Sequence, residues 1–130
     1  MHDAPGEDDW HFVGLAADFE DEDVEQRVIG GLAIAVYRAK GQFYATQDLC
    51  THENAYLSDG VVIDCVVECP YHQGRFEIRT GKALGAPVIV PLRTFPMKVT
   101  GGKLFVQVSE EQTRAVENIS GPGARDPSER

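Results

Sequence analysis

Cys50-Thr51-His52 and Cys69-Pro70-Tyr71-His72 are the two stretches whose reading decides the fold. Sixteen residues, 53–68, lie between them, and each stretch offers one thiol and one imidazole. A structural zinc could take such donors, but zinc fingers order them as two cysteines followed by two histidines with a helix between. Here the order alternates Cys, His, Cys, His, which makes two equivalent jaws rather than a knuckle and a helix. Two jaws meet only if the chain between them doubles back. The apolar triplets Val61–Ile63 and Val66–Glu68, around a turn predicted at Ile63-Asp64, supply that hairpin and bring Cys50 and Cys69 to one end of a small sheet.

Two thiolates and two imidazoles on paired loops are also the ligand set of a Rieske [2Fe–2S] centre, where two histidines replace two cysteines on one iron. The chain resembles the Rieske ferredoxins that feed multicomponent aromatic-ring hydroxylating oxygenases, such as the naphthalene dioxygenase ferredoxin. The likeness runs through Leu57-Ser58-Asp59-Gly60, Glu68-Cys69-Pro70, His72-Gln73-Gly74-Arg75-Phe76 and Thr80-Gly81-Lys82-Ala83-Leu84, and more loosely to Val108. It implies one [2Fe–2S] cluster per chain, with Cys50 and Cys69 on one iron and His52 and His72 on the other. It implies a soluble one-electron carrier in aromatic hydrocarbon catabolism, not an enzyme. Its partners would be a flavoprotein ferredoxin reductase using NADH or NADPH and a terminal dioxygenase. A third loop at Gly85-Ala86-Pro87 would lie across the cluster and shield it.

The same resemblance bears on redox potential. High-potential Rieske proteins of respiratory complexes join their two ligand loops by a disulfide and donate hydroxyl hydrogen bonds to the cluster sulfurs. The disulfide positions correspond to Ala55 and Tyr71 here, and the hydroxyl positions to Gly74 and Phe76. Each change removes a bridge or a donor, so the more negative reduced cluster is less stabilised. The implied potential is about −150 mV, the low end of the Rieske range.

Length and composition suit one soluble domain with one modest core. The formal charge of −9 is uneven: residues 1–25 carry ten acids, from Asp3 to Glu25, and no Lys or Arg. The rest of the chain sums to about +1 from eleven acids and twelve bases. The acidic run reads as a solvated loop, or as a patch steering a basic redox partner. Without a basic patch, nucleic-acid binding is excluded. The longest apolar run, 30–37, is eight residues, too short for a membrane span, and no secretory signal opens the chain. Three cysteines, two of them assigned to iron, leave one unpaired, which suits a reducing cytoplasm, and a monomer is expected.

Along the chain, 1–9 reads as a flexible tail, 10–108 as the domain, with its cluster-binding part at 48–87, and 109–130 as a polar, disordered tail with a short helix at 110–117. Strands are expected at 10–15, 27–30, 32–38, 42–47, 61–63, 66–68, 75–78, 95–100 and 103–108, with 18–25 as a loop. Hairpin signals stand at Gly30-Gly31, Lys40-Gly41 and Gly101-Gly102. So many short strands define an all-β sandwich or barrel carrying a subdomain of two ligand loops. Glu53, Asn54, Tyr56, Gln73 and Arg75 flank the ligands as a candidate docking rim. Cys65 reads as a small apolar filler, and His2 and His11 as ordinary residues.

Three other functions compete. A terminal oxygenase needs a second iron held by two histidines and a carboxylate, which His2 and His11 cannot supply. A small Rieske-like subunit of nitrite reductase, or of an arsenite oxidase, fits the ligands, but the Thr80–Leu84 stretch favours the oxygenase ferredoxins. A zinc-stapled β binding module would be colourless.

Overall fold

The computed structural model describes residues 9–51, 54–71, 74–85 and 90–114. Its strands are β1 (Trp10–Leu15), β2 (Val24–Ile29), β3 (Leu32–Ala39), β4 (Gln42–Gln47), β5 (Val61–Ile63), β6 (Val66–Glu68), β7 (Arg75–Glu77), β8 (Thr94–Phe95), β9 (Met97–Thr100) and β10 (Lys103–Gln107). A single short helix, α1 (Glu110–Arg114), follows β10 among the described residues. The strands form three antiparallel sheets in the orders β1-β10-β9, β2-β3-β4-β8 and β5-β6-β7. The all-β architecture read from the sequence is the one observed.

β3, Leu-Ala-Ile-Ala-Val-Tyr-Arg-Ala, lacks the apolar–polar alternation of a strand with one wet face. The reason is that both of its faces are covered. Ile34 and Val36 join Val13, Ala45, Phe95, Leu104 and Val106 in the core between the two larger sheets. Ala35, Tyr37 and Ala39, on the opposite face, join Leu57, Val62, Val67, Phe76, Ile78, Cys50 and Cys69 in a second core. The small alanines on that face leave room for the β5-β6-β7 sheet to pack close. Tyr37, fully buried, donates its hydroxyl hydrogen to Thr46 Oγ1 at 2.8 Å, while Thr46 donates its own to the Gln47 carbonyl. Burial holds the Tyr37 phenol above its usual range.

Tight hairpins link neighbours. Gly30 and Gly31 have φ of 58° and 88°, the left-handed pair that a two-residue turn between β2 and β3 requires. The β5–β6 turn has the same form with no glycine: Asp64 and Cys65 have φ of 53° and 66°. It falls one residue later than the Ile63-Asp64 position expected, which places Cys65 in the turn itself, buried as the filler reading requires.

Other expectations shift. β2 starts at Val24, inside the stretch read as an acidic loop, because an edge strand keeps one edge and much of its surface in water and so tolerates Glu25. A 3₁₀ turn at Ala16–Asp18 precedes it. The strand expected at 95–100 is two strands: Pro96 has no N–H to donate, and the chain passes there from pairing with β4 to pairing with β10. The helix expected at 110–117 is described over Glu110–Arg114, and the tails at 1–8 and 115–130 lie outside the described residues. Among the described residues, no helix is long and apolar enough to cross a membrane.

Ala35 tests the two-faced burial of β3. Ala35→Leu should lower stability by about 1–3 kcal/mol through overpacking, measured as a shift in the urea midpoint. A variant as stable as the parent would show that this face is not packed.

Candidate metal centre

The first ligand loop leaves β4 at Gln47 and is closed rung by rung. Leu57 N–H donates to the Asp48 carbonyl at 2.7 Å, Leu49 bridges Tyr56, and Cys50 N–H donates to the Ala55 carbonyl at 2.9 Å. The second loop joins β6 to β7, with Glu68 opposite Arg75, and Cys69 N–H donates to the Gly74 carbonyl at 2.7 Å. In both loops the cysteine amide is bonded to the carbonyl five residues on.

A third loop completes the end of the molecule. It springs from Ala83, which bridges Phe76, and from Leu84, whose N–H bonds the Arg75 carbonyl. It returns at Leu92, whose N–H donates to the Gly81 carbonyl at 2.7 Å, and the Thr51 hydroxyl donates to the Val90 carbonyl at 2.7 Å. The first loop is therefore tied to the third through the residue between Cys50 and position 52.

Two glycines make the approach of these segments possible. A Cβ on Gly60 would overlap the carbonyl oxygen of Glu68, the residue before Cys69, and a Cβ on Gly81 would overlap the carbonyl oxygen of Leu92. Gly60 thus presses the exit of the first loop against the entrance of the second.

Cys50 and Cys69 are both buried and belong to one apolar cluster, and no disulfide engages either one or Cys65. His52 and His72, with Glu53, Gln73, Ala86 and Pro87, lie outside the described residues. Of the rim expected around the ligands, Asn54 and Arg75 are exposed and Tyr56 is half-buried. Tyr71 and Val90 add exposed apolar surface beside them. His11 keeps an ordinary role, its Nε2 lying 3.1 Å from the Val108 carbonyl.

Sequence reasoning passed over Asp48. The residue is fully buried, and its carboxylate accepts hydrogen bonds from Ser58 N–H and Oγ at 2.7 Å and from Gln26 Nε2 at 2.8 Å. Burial pushes its pKa above the usual carboxylate range, against the pull of those donors. The available signal was its position, a lone acid two residues before a cysteine at the end of a half-buried strand. Glu77, at the end of β7, has the opposite balance. Burial alone would raise its pKa, but hydrogen bonds from the Arg79 side chain and amide and from Thr80, with the Arg79 charge, hold it below the usual range.

Buried thiols on two matched loops, each closed onto one apolar core at the end of a small β-sheet, define an iron–sulfur β module. The donor set fits a cluster: two thiols sit in a shared water-poor core, and each loop continues to a histidine two or three residues further on. The family model for the Rieske [2Fe–2S] domain matches residues 9–96, and the chain belongs to that family. Its cofactor is the Rieske [2Fe–2S] cluster. The chain is 41% identical over 100 residues to the anthranilate 1,2-dioxygenase ferredoxin subunit of Burkholderia cepacia, covering 77% of this chain and 93% of that one. It is equally similar, 41% over 100 residues, to the ferredoxin component of the naphthalene 1,2-dioxygenase system of Pseudomonas putida, covering 77% and 96%. Among solved structures it matches a chain in the complex of reduced oxygenase and oxidized ferredoxin in carbazole 1,9a-dioxygenase, with TM-score 0.73 and 39% identity over 76% of this chain and 93% of that one.

Two substitutions test this geometry. Gly60→Ala should cost about 2 kcal/mol or more, because backbone must move, whereas Gly41→Ala, with open space but φ of 78°, should cost about 1 kcal/mol. Equal costs in thermal unfolding would remove the close approach from the account. Glu77→Gln should destabilise the protein at neutral pH. Since the native carboxyl titrates below its unfolded value, the contribution is present above the ordinary carboxylate range and lost as pH falls through the native pKa. The two unfolding curves should therefore converge in acid; a gap that persists there would rule out the charge-based role.

Proposed function

We propose that this chain is a cytoplasmic, monomeric one-electron carrier. It takes electrons from an NAD(P)H-dependent flavoprotein reductase and delivers them to a terminal ring-hydroxylating oxygenase, and it makes or breaks no substrate bond itself. Cys50 and Cys69 hold one iron, and His52 and His72 the other. The observation that carries this reading is the pair of cysteine loops closed in the same way over one buried core, in a chain whose relatives are ferredoxin components of dioxygenase systems.

When bound, the cluster supplies one-electron chemistry, and imidazole in place of two thiolates raises its potential relative to a four-cysteine centre. The chain's own residues set the rest. Phe76, fully buried, stands where high-potential relatives place a hydroxyl, and Ala55 and exposed Tyr71 replace their disulfide, which supports a potential of about −150 mV. The Thr51 hydroxyl ties the first loop to Val90. Exposed Tyr71, Val90, Asn54 and Arg75 form a small rim suited to the brief contact that electron transfer needs.

Visible absorption and low-temperature EPR of the purified protein, as isolated and after dithionite, test the reading. A red-brown protein with a rhombic reduced signal, its average g below the free-electron value, is the expected result. Cys50→Ser and Cys69→Ser should each abolish that spectrum. A colourless, zinc-containing protein, or a full cluster spectrum in either variant, would overturn the assignment.

A further inference from the structure

The two ligand loops are closed alike at their cysteines but not at their bases. The second loop is carried by a continuous ladder, Glu68 opposite Arg75, Val67 opposite Phe76 and Val66 opposite Glu77. Among the described residues, the first loop is not carried by a pair of named strands in this way. One arm leaves β4, whose two edges are already taken by β3 and β8, and the returning arm is a 3₁₀ turn, Leu57–Asp59. Between these arms, among the described residues, pairing is limited to the isolated bridge of Leu49 and Tyr56 and the two backbone bonds that flank it, Cys50 N–H to the Ala55 carbonyl and Leu57 N–H to the Asp48 carbonyl.

Asp48 stands at that base and spends its hydrogen-bonding capacity on it. Its N–H donates to the Ala33 carbonyl of β3 at 3.0 Å, and its carbonyl accepts from Leu57 N–H at 2.7 Å. Its Oδ1 accepts from Ser58 N–H, and its Oδ2 from the Ser58 hydroxyl and from Gln26 Nε2 of β2. Its side chain thereby ties the return arm of the loop to β2, while its own amide anchors the residue to β3. A carboxylate removed from water is costly unless donors surround it. An apolar side chain could fill the space but could not hold Ser58.

We propose that Asp48 is a positioning residue for the metal centre: its carboxylate staples shut the base of the first ligand loop and so holds Cys50, as strand pairing holds Cys69. The inference rests on the reading of Cys50 as an iron ligand. Asp48 touches no iron; it acts through the loop that carries Cys50.

The test uses the full chain loaded with its cluster. Bleaching of the visible spectrum by an iron chelator is timed, and the reduced EPR signal recorded, for the parent, Asp48→Ala, Ser58→Ala and Val106→Ala. Val106 is fully buried in the other core and serves as a stability control. Asp48→Ala should bleach about tenfold faster or more, the scale set by residues that orient metal ligands, with shifted or broadened g-values. Ser58→Ala, which keeps the amide donor and loses the hydroxyl, should bleach about threefold to fivefold faster. Val106→Ala should lower the unfolding temperature yet keep the parent's bleaching rate and EPR signal. If Asp48→Ala does not fold, Ser58→Ala decides. Parent-like bleaching and EPR in whichever of the two variants folds, or Val106→Ala bleaching as fast as they do, would overturn the proposal. A parent protein with no cluster spectrum would instead sink the iron–sulfur reading itself.

Discussion

β3 buries Ile34 and Val36 in one apolar core and Ala35, Tyr37 and Ala39 in another, so a single strand is the shared wall of two packed units. The larger unit is a sandwich of ordinary hydrophobic content. The smaller one has three strands joined by three ladder pairs at each seam and too little apolar surface to stand by itself. Leaning on the second face of β3 supplies the missing core, and the two cysteines sit inside that borrowed core. The metal-binding end is therefore stable only because the sandwich lends it a surface.

The acidic segment acquires a different meaning in three dimensions. Asp21 accepts the Gly41 N–H of the β3–β4 turn, Glu22 accepts the Asp64 N–H of the β5–β6 turn, and Asp23 accepts the Glu20 N–H. Lys40 pairs with Asp64 at 2.9 Å across the same turns. Both members of that pair are exposed, so the ion pair itself contributes little. The amide hydrogen bonds matter more, because Asp64 and Cys65 hold a left-handed turn without glycine and need it defined by its neighbours. The acids thus knit the segment before β2 to the small sheet's turn, and a purely solvated face is not the whole account of them.

How much was legible in advance differs by scale. The class of fold was, because alternating strands and glycine pairs such as Gly30-Gly31 are local signals that packing only reinforces. The break at Pro96 was not placed, since a strand's choice of sheet depends on which partner edge is vacant. The start of β2 was missed because charge argued for a loop while pairing with β3, a non-local interaction, decided for a strand. At the centre, cysteine and histidine spacing pointed to the chemistry, whereas the close approach at Gly60, the hydrogen bonds of Asp48 and the Thr51–Val90 tie were not read from it. Each of these acts by touching a residue distant in the chain.

The sequence by itself determined the donor types and their order, the hairpin between the loops, and the absence of a thiol or hydroxyl at Ala55 and Phe76. Those properties belong to single residues or to neighbours along the chain, and ligand chemistry depends on residue identity. Only the tertiary structure decided that both cysteines share one buried core, that Gly60 lets one loop press on the other, and that a buried Asp48 closes the base of the first ligand loop. Burial and closure are relations between segments far apart in the chain, created when β3 brings two cores together, and no local pattern encodes them.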